Sequence, residues 1–210
     1  MSGLVAIVPA AGLSRRMGRP KLTMPLGSGS VVSLVVSGLL LGGVDRAIVV
    51  VRPPVDPDSE QLQRDAKNAG AEILVRDPPP EDMRASVEHA LRSLEQGETP
   101  PAGVLLCPAD CPGITPGLVR RVILEFRAHP RSIIVPEHNG RRGHPIALPW
   151  ELASTIPSLP PGTGVNALHA KHPTRRFDLR VDDPAIFDDL DTPEDYRAWR
   201  DRLGAPSTDP

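Results

Sequence analysis

Residues 4–21 read LVAIVPAAGLSRRMGRPK. The apolar run Leu4 to Val8 meets Pro9, and a continuous run of this length bounded by turn residues reads as a strand buried on both faces. Strands of that kind belong to parallel sheets covered by helices, so these few residues decide the fold class if the pattern recurs. Behind the strand come Arg15, Arg16, Arg19 and Lys21, while no Asp or Glu occurs from Met1 to Val44. Small residues and unopposed positive charge at the end of a buried strand point to a bound anion.

The pattern does recur. Further strands are expected at Arg46 to Val51, Glu72 to Val75, Val104 to Cys107, Ser132 to Val135 and Arg176 to Val181. Between them, helices are expected at Val31 to Leu41, Pro57 to Ala69, Met83 to Leu94, Pro116 to Arg127, Val165 to His172 and Pro193 to Leu203. Thr115 before Pro116 and Thr192 before Pro193 place a capping hydroxyl ahead of a proline at the first helical position, which fixes two of these starts. The alternation predicts an α/β fold: a single Rossmann-like three-layer α/β/α domain with a mostly parallel sheet over residues 1–203, followed by a frayed tail, 204–210. The 26 prolines gather in connections such as RPPVDP and RDPPPED, which predicts stiff surface loops.

Composition narrows the function. Aromatics make up only 3% of the 210 residues, so the core is built from Val, Leu, Ile and Ala, which suits α/β layers better than an all-β sandwich. A formal net charge of -2 offers no broad basic field for nucleic acid. The longest apolar stretch, Val31 to Val44, is too short to span a bilayer comfortably, and no membrane partner is expected. Two cysteines, Cys107 and Cys111, make neither a disulfide framework nor a zinc cluster, and fit a cytoplasmic protein.

Neither G-x-G-x-x-G nor G-x-x-x-x-G-K-[ST] is present in the opening loop. It reads instead A-A-G-x-S-x-R-M-G-x-P-K. Ala10, Ala11 and Gly12 let main-chain N–H groups close on phosphate oxygens, Arg16 can fork two donors onto a phosphate, and Lys21 adds a point charge. Position for position, this string resembles the signature loop of the MobA-like nucleotidyltransferases, whose cytidylyl branch shares the A-A-G start and the Pro before Lys. The resemblance implies a fold of the nucleotide-diphospho-sugar transferase type, nucleotide binding by Ala10, Ala11, Gly12, Ser14, Arg15, Arg16 and Lys21, and catalysis by Arg16, Lys21 and Asp110.

It implies roles further along the chain as well. Asp110, beyond an apolar strand and before a Thr-Pro helix start, would hold Mg²⁺, with Asp189 and Asp191 of FDDLDTPEDY beside the same ion. Acids ahead of a helix also stabilise its N-terminus, an alternative reading for Asp191. Met83 and Ser86 match the family's base-recognising turn, although Arg84 and Ala85 stand where hydroxyl residues are common. Arg142, Gly143, His144 and Pro145 resemble the segment that lines the acceptor pocket, while Thr163, Val165 and Asn166 depart from the family's G-D-x-G-A-R pattern. The activity implied is transfer of CMP from CTP to molybdopterin cofactor with release of pyrophosphate. A molybdenum hydroxylase would be the client, and the enzyme a monomer or weak homo-oligomer. Two alternatives stand: a sibling that uses GTP or another phosphorylated acceptor, and a carrier that delivers nucleotide or molybdenum cofactor without chemistry.

Overall fold

The computed structural model describes residues 3–12, 17–80 and 82–204, with only the main chain of His169. The expected tail beyond residue 204 lies outside them. In chain order the strands are β1 (Leu4–Pro9), β2 (Pro25–Leu26), β3 (Gly29–Ser30), β4 (Arg46–Val51), β5 (Glu72–Val75), β6 (Gly103–Leu106), β7 (Ile133–His138), β8 (Arg141–Arg142), β9 (Ile146–Pro149) and β10 (Arg176–Arg180). The helices are α1 (Val31–Gly42), α2 (Pro57–Asn68), α3 (Met83–Glu95), α4 (Pro116–Ala128), α5 (Trp150–Ala153), α6 (Ala167–Lys171) and α7 (Pro193–Arg202).

One sheet runs in the order β10, β7, β9, β6, β1, β4, β5, with β8 paired to β7. β1 pairs in parallel with both β4 and β6, as β4 does with β5 and β10 with β7. Only β9 opposes its two neighbours along this path. That strand is a correction to the expected pattern. Its four residues, flanked by Pro145 and ending at Pro149, are too few to show a period, and its longer pairing is with β6, distant in sequence.

Side chains alternate between two cores, as a period of two demands. Ala6, Val8, Val49, Leu105 and Ile134 face α1, α2, α4 and α7, whereas Val5, Ile7, Val50, Leu106 and Val135 face α3, α5 and α6. These are the three layers. α1 is apolar on several sides because it lies among the sheet, α2 and α4. Close approach to α4 requires Gly42, where a Cβ would stand 2.4 Å from the Val119 Cβ.

The helix starts follow their caps. Thr115 accepts from the Leu118 N–H, and Thr192 from the Asp195 N–H, while Asp195 returns a carboxylate to the Thr192 N–H. The helix expected over Val165 to His172 is shorter, Ala167–Lys171, and its first residues form a turn closed by the Ala167 N–H on the Gly164 carbonyl.

Candidate active site

Chain order reverses at β1. From there the chain winds outward through β4 and β5, then crosses to β6 on the other side, with α1 and α2 on one face and α3 on the opposite one. At such a switch point a crevice opens at the carboxyl ends of the strands, here beside the loops that follow β1 and β6. Main-chain bonds hold the two loops edge to edge: the Cys107 N–H donates to the Ile7 carbonyl, and the Ala109 N–H to that of Pro9.

The crevice is a cavity of about 300 Å³. Its floor comprises Pro9, Ala10, Ala11 and Gly12 from the β1 loop and Pro108, Ala109 and Asp110 from the β6 loop. Met17, Lys21 and Leu22 close one side, and Pro80, Asp82, Met83 and Ser86 at the start of α3 close another. Asp191 completes it. Among the described residues, a Cβ on Gly12 would meet nothing within 4 Å, which leaves space where a ligand can approach the main chain.

Lys21, Asp110 and Asp191 meet inside this cavity. The Lys21 Nζ stands 2.6 Å from Asp110 Oδ2 and 3.0 Å from Asp191 Oδ1. With side-chain exposures of 13%, 22% and 28%, this group is held well away from the freely solvated ion-pair limit. Burial alone would lower the Lys21 pKa; the charges and hydrogen bonds of Asp110 and Asp191 outweigh it and raise the pKa, so the lysine stays cationic. Two hard carboxylates already gathered around one cation are a donor set that fits a divalent ion such as Mg²⁺.

The loops that carry the acids are tied together by the Leu190 N–H, which donates to the Asp110 carbonyl at 2.8 Å. Capping of α7 is done by Thr192 and Asp195, and the Asp191 side chain turns to Lys21. Asp189 meets Asp110 at Cys111 instead, one ligand atom of each of the three lying within 4.8 Å of the others. Its Oδ1 accepts from the Cys111 thiol at 3.1 Å, and that thiol lies 4.0 Å from Asp110 Oδ1. Burial, with the neighbouring carboxylates, pushes both the Cys107 and Cys111 pKa values up, so both thiols remain protonated. Sequence reasoning passed over the Cys111 contact; the signal available was only its adjacency to Asp110.

Asp82 caps α3 by accepting from the Ala85 N–H, which presents Met83 and the buried Ser86 to the cavity. Arg84 does not line the cavity. It pairs with Glu88 and donates to the carbonyls of Leu159, Pro160 and Thr163, so the residue that departs from the family pattern pins the 159–163 loop to α3. Ser14, Arg15 and Arg16 lie outside the described residues.

The segment Arg142 to Pro145 does not line this cavity. Arg142 forms a two-pronged pair with Asp178 on β10, at 2.8 and 2.9 Å. Gly143 packs against the 184–187 turn, where a Cβ would fall 2.3 Å from the Ile186 carbonyl oxygen. A Gly143→Ala variant is therefore expected to lose about 1–3 kcal/mol of stability in urea unfolding, the usual cost of overpacking; an unchanged midpoint would contradict the contact.

His144 packs behind the acids, and its Nδ1 is buried with no hydrogen-bond partner among the described residues. Burial depresses its pKa; the charges of Asp189 and Asp110 and a bond to the Leu106 main chain oppose this but do not overcome it. As the pH falls through about 6.5, the unfolded chain takes up a proton that the folded one refuses, so stability should fall. Urea titrations in EDTA should show that decline in the native protein and a smaller one in His144→Gln.

An α/β switch-point crevice with a small-residue loop, a lysine and two carboxylates defines a site for a nucleoside polyphosphate and a divalent ion. The MobA-like NTP transferase domain matches residues 6–176, and the chain belongs to that family: it is a nucleotidyltransferase. It is 25% identical over 202 residues to a molybdenum cofactor cytidylyltransferase of Escherichia coli K12, covering 96% of this chain and 98% of that one. To a molybdenum cofactor guanylyltransferase of Mesorhizobium japonicum it is 33% identical over 150 residues, 70% of this chain and 66% of the other. Among solved structures, Rv0371c of Mycobacterium tuberculosis H37Rv superposes with a TM-score of 0.78 at 24% identity, covering 95% and 98% of the two chains. The fold is that of the nucleotide-diphospho-sugar transferase type. Among the described residues no helix is long and apolar enough to cross a membrane.

Proposed function

We propose that residues 1–203 form one domain that transfers the cytidylyl group of CTP to the terminal phosphate of a molybdopterin-type cofactor in the cytoplasm. The product would pass to a molybdenum hydroxylase. The observation that carries this reading is the convergence of Lys21, Asp110 and Asp191 in a cavity floored by Ala10, Ala11 and Gly12. An oxygen of the acceptor phosphate attacks the α-phosphorus of CTP, the bond to the bridging oxygen breaks, and pyrophosphate leaves. Because the attacking group is already an anion, no general base is required.

The chain's own residues orient and neutralise. Main-chain N–H groups of Ala11 and Gly12 and the charge of Lys21 hold the triphosphate, with Ser14, Arg15 and Arg16 of the signature loop assigned to the same task by resemblance, while Met83 and Ser86 wall the base; the Ala10 N–H is committed to the Val50 carbonyl. Mg²⁺, held by Asp110 with Asp191 and aided by Asp189, supplies further charge neutralisation when bound. Rv0371c has been crystallised in complex with manganese, which is consistent with divalent-ion use here. Of the segment Arg142 to Pro145, only Arg142 on β8 is exposed, so any contact with the acceptor from that side would fall to it. CTP is favoured by the A-A-G start, by Pro20 ahead of Lys21, and by a likeness to the cytidylyltransferase along nearly the full length of both chains.

The higher identity to the guanylyltransferase over a shorter span favours a second reading, in which GTP is the donor. Equilibrium binding of CTP and GTP with Mg²⁺ separates them: CTP should bind about tenfold more tightly, as one well-placed set of polar contacts to the base would give. Tighter GTP binding would transfer the assignment to the guanylyl reading.

A further inference from the structure

The Lys21 ammonium sits between the two carboxylates proposed to hold the divalent ion, at 2.6 and 3.0 Å. Those are direct charge-assisted contacts with no room for a bridging water. Asp110 Oδ1 faces the Cys111 thiol, so the oxygen turned to the cavity, Oδ2, is the one that Lys21 already occupies. Lys21 anchors in a short 3-10 turn, Lys21–Thr23, whose neighbour Leu22 is buried, so its backbone is fixed while its four-carbon side chain can swing. The cavity that it overlooks is the one proposed to take the triphosphate.

We propose that Lys21 competes with the divalent cation for the Asp110 and Asp191 carboxylates, so that the cation binds weakly until a nucleoside triphosphate draws the ammonium onto its phosphates. This rests on the reading of the cavity as a nucleotidyltransferase centre. One side chain then has two positions: on the acids in the free protein, and on phosphate in the loaded one. The device offsets one of the two carboxylate charges in the empty site and couples arrival of nucleotide to arrival of metal. By linkage, the coupling is reciprocal.

The test is Mn²⁺ binding without nucleotide, read by electron paramagnetic resonance of the free ion, in the unmodified protein and in Lys21→Met and Lys21→Gln. Both variants should bind Mn²⁺ about tenfold more tightly or better, within the ordinary range of coupling between sites. Asp110→Asn combined with Lys21→Met should abolish that gain. Circular dichroism confirms that each variant is folded. In the unmodified protein, Mg²⁺ alone at saturating concentration should raise acylation of Lys21 by an amine reagent, followed by mass spectrometry.

Unchanged or weaker Mn²⁺ binding in the folded Lys21 variants overturns the proposal, as does a Lys21 whose acylation ignores Mg²⁺. If the Lys21 variants gain affinity but no nucleotide is transferred by the unmodified protein, the competition stands and the proposed activity falls. If nucleotide is transferred but the variants gain no affinity, the activity stands and the competition falls.

Discussion

Replacing Asp110 by Ala is expected to abolish nucleotidyl transfer, with a loss of about a thousandfold in kcat, comparable to removing a principal electrostatic group from a transition state. Asp110 is where three lines of contact cross. Its Oδ2 meets Lys21, its Oδ1 faces Cys111, and its carbonyl accepts from Leu190, which fixes the loop bearing Asp189 and Asp191. Only the carboxylate is lost in the variant, and the Leu190 bond to the main chain survives, so the fold should persist while the charge balance fails. A folded Asp110→Ala protein with more than a tenth of the original activity would contradict the assignment.

The two acids of the second loop should separate in the same assay. Asp191→Ala removes a carboxylate that lines the cavity and touches Lys21, and about a hundredfold loss is expected. Asp189→Ala removes the acceptor of the Cys111 thiol, one step behind the cavity, and should cost about tenfold, as for outer groups that orient a metal ligand. Titration of each variant with Mg²⁺ checks the distinction: Asp191→Ala should need far more ion than Asp189→Ala. The reverse order would mean that Asp189 rather than Asp191 joins Asp110.

Much of this architecture could be read from local pattern. The strands at Leu4, Arg46 and Glu72 were legible because each is an apolar run closed by turn residues, and α4 and α7 because Thr-Pro starts announce themselves. Strand β9 was not, since three residues between prolines carry no period and their pairing depends on β6 and β7. The candidate site divided in the same way. Asp110 and Lys21 each stood out by their place after a strand, yet nothing in a linear spacing of 89 residues says that their side chains touch. Nor could Arg84 be understood from its own neighbourhood, because three of its partners are carbonyls more than seventy residues away. Likewise, the sequence offers Gly143 only as part of a segment resembling an acceptor pocket, while its packing against the Ile186 carbonyl requires the turn at 184–187 to be in place.

The most direct measurement is the fate of label from CTP in the presence of Mg²⁺ and molybdopterin cofactor, with the α-phosphate and the γ-phosphate labelled in separate reactions. Nucleotidyl transfer predicts that the α label appears in the cofactor product and the γ label in pyrophosphate, with GTP giving little of either. Label from the γ position on the cofactor, or no acceptor-dependent release from either nucleotide, would contradict the account.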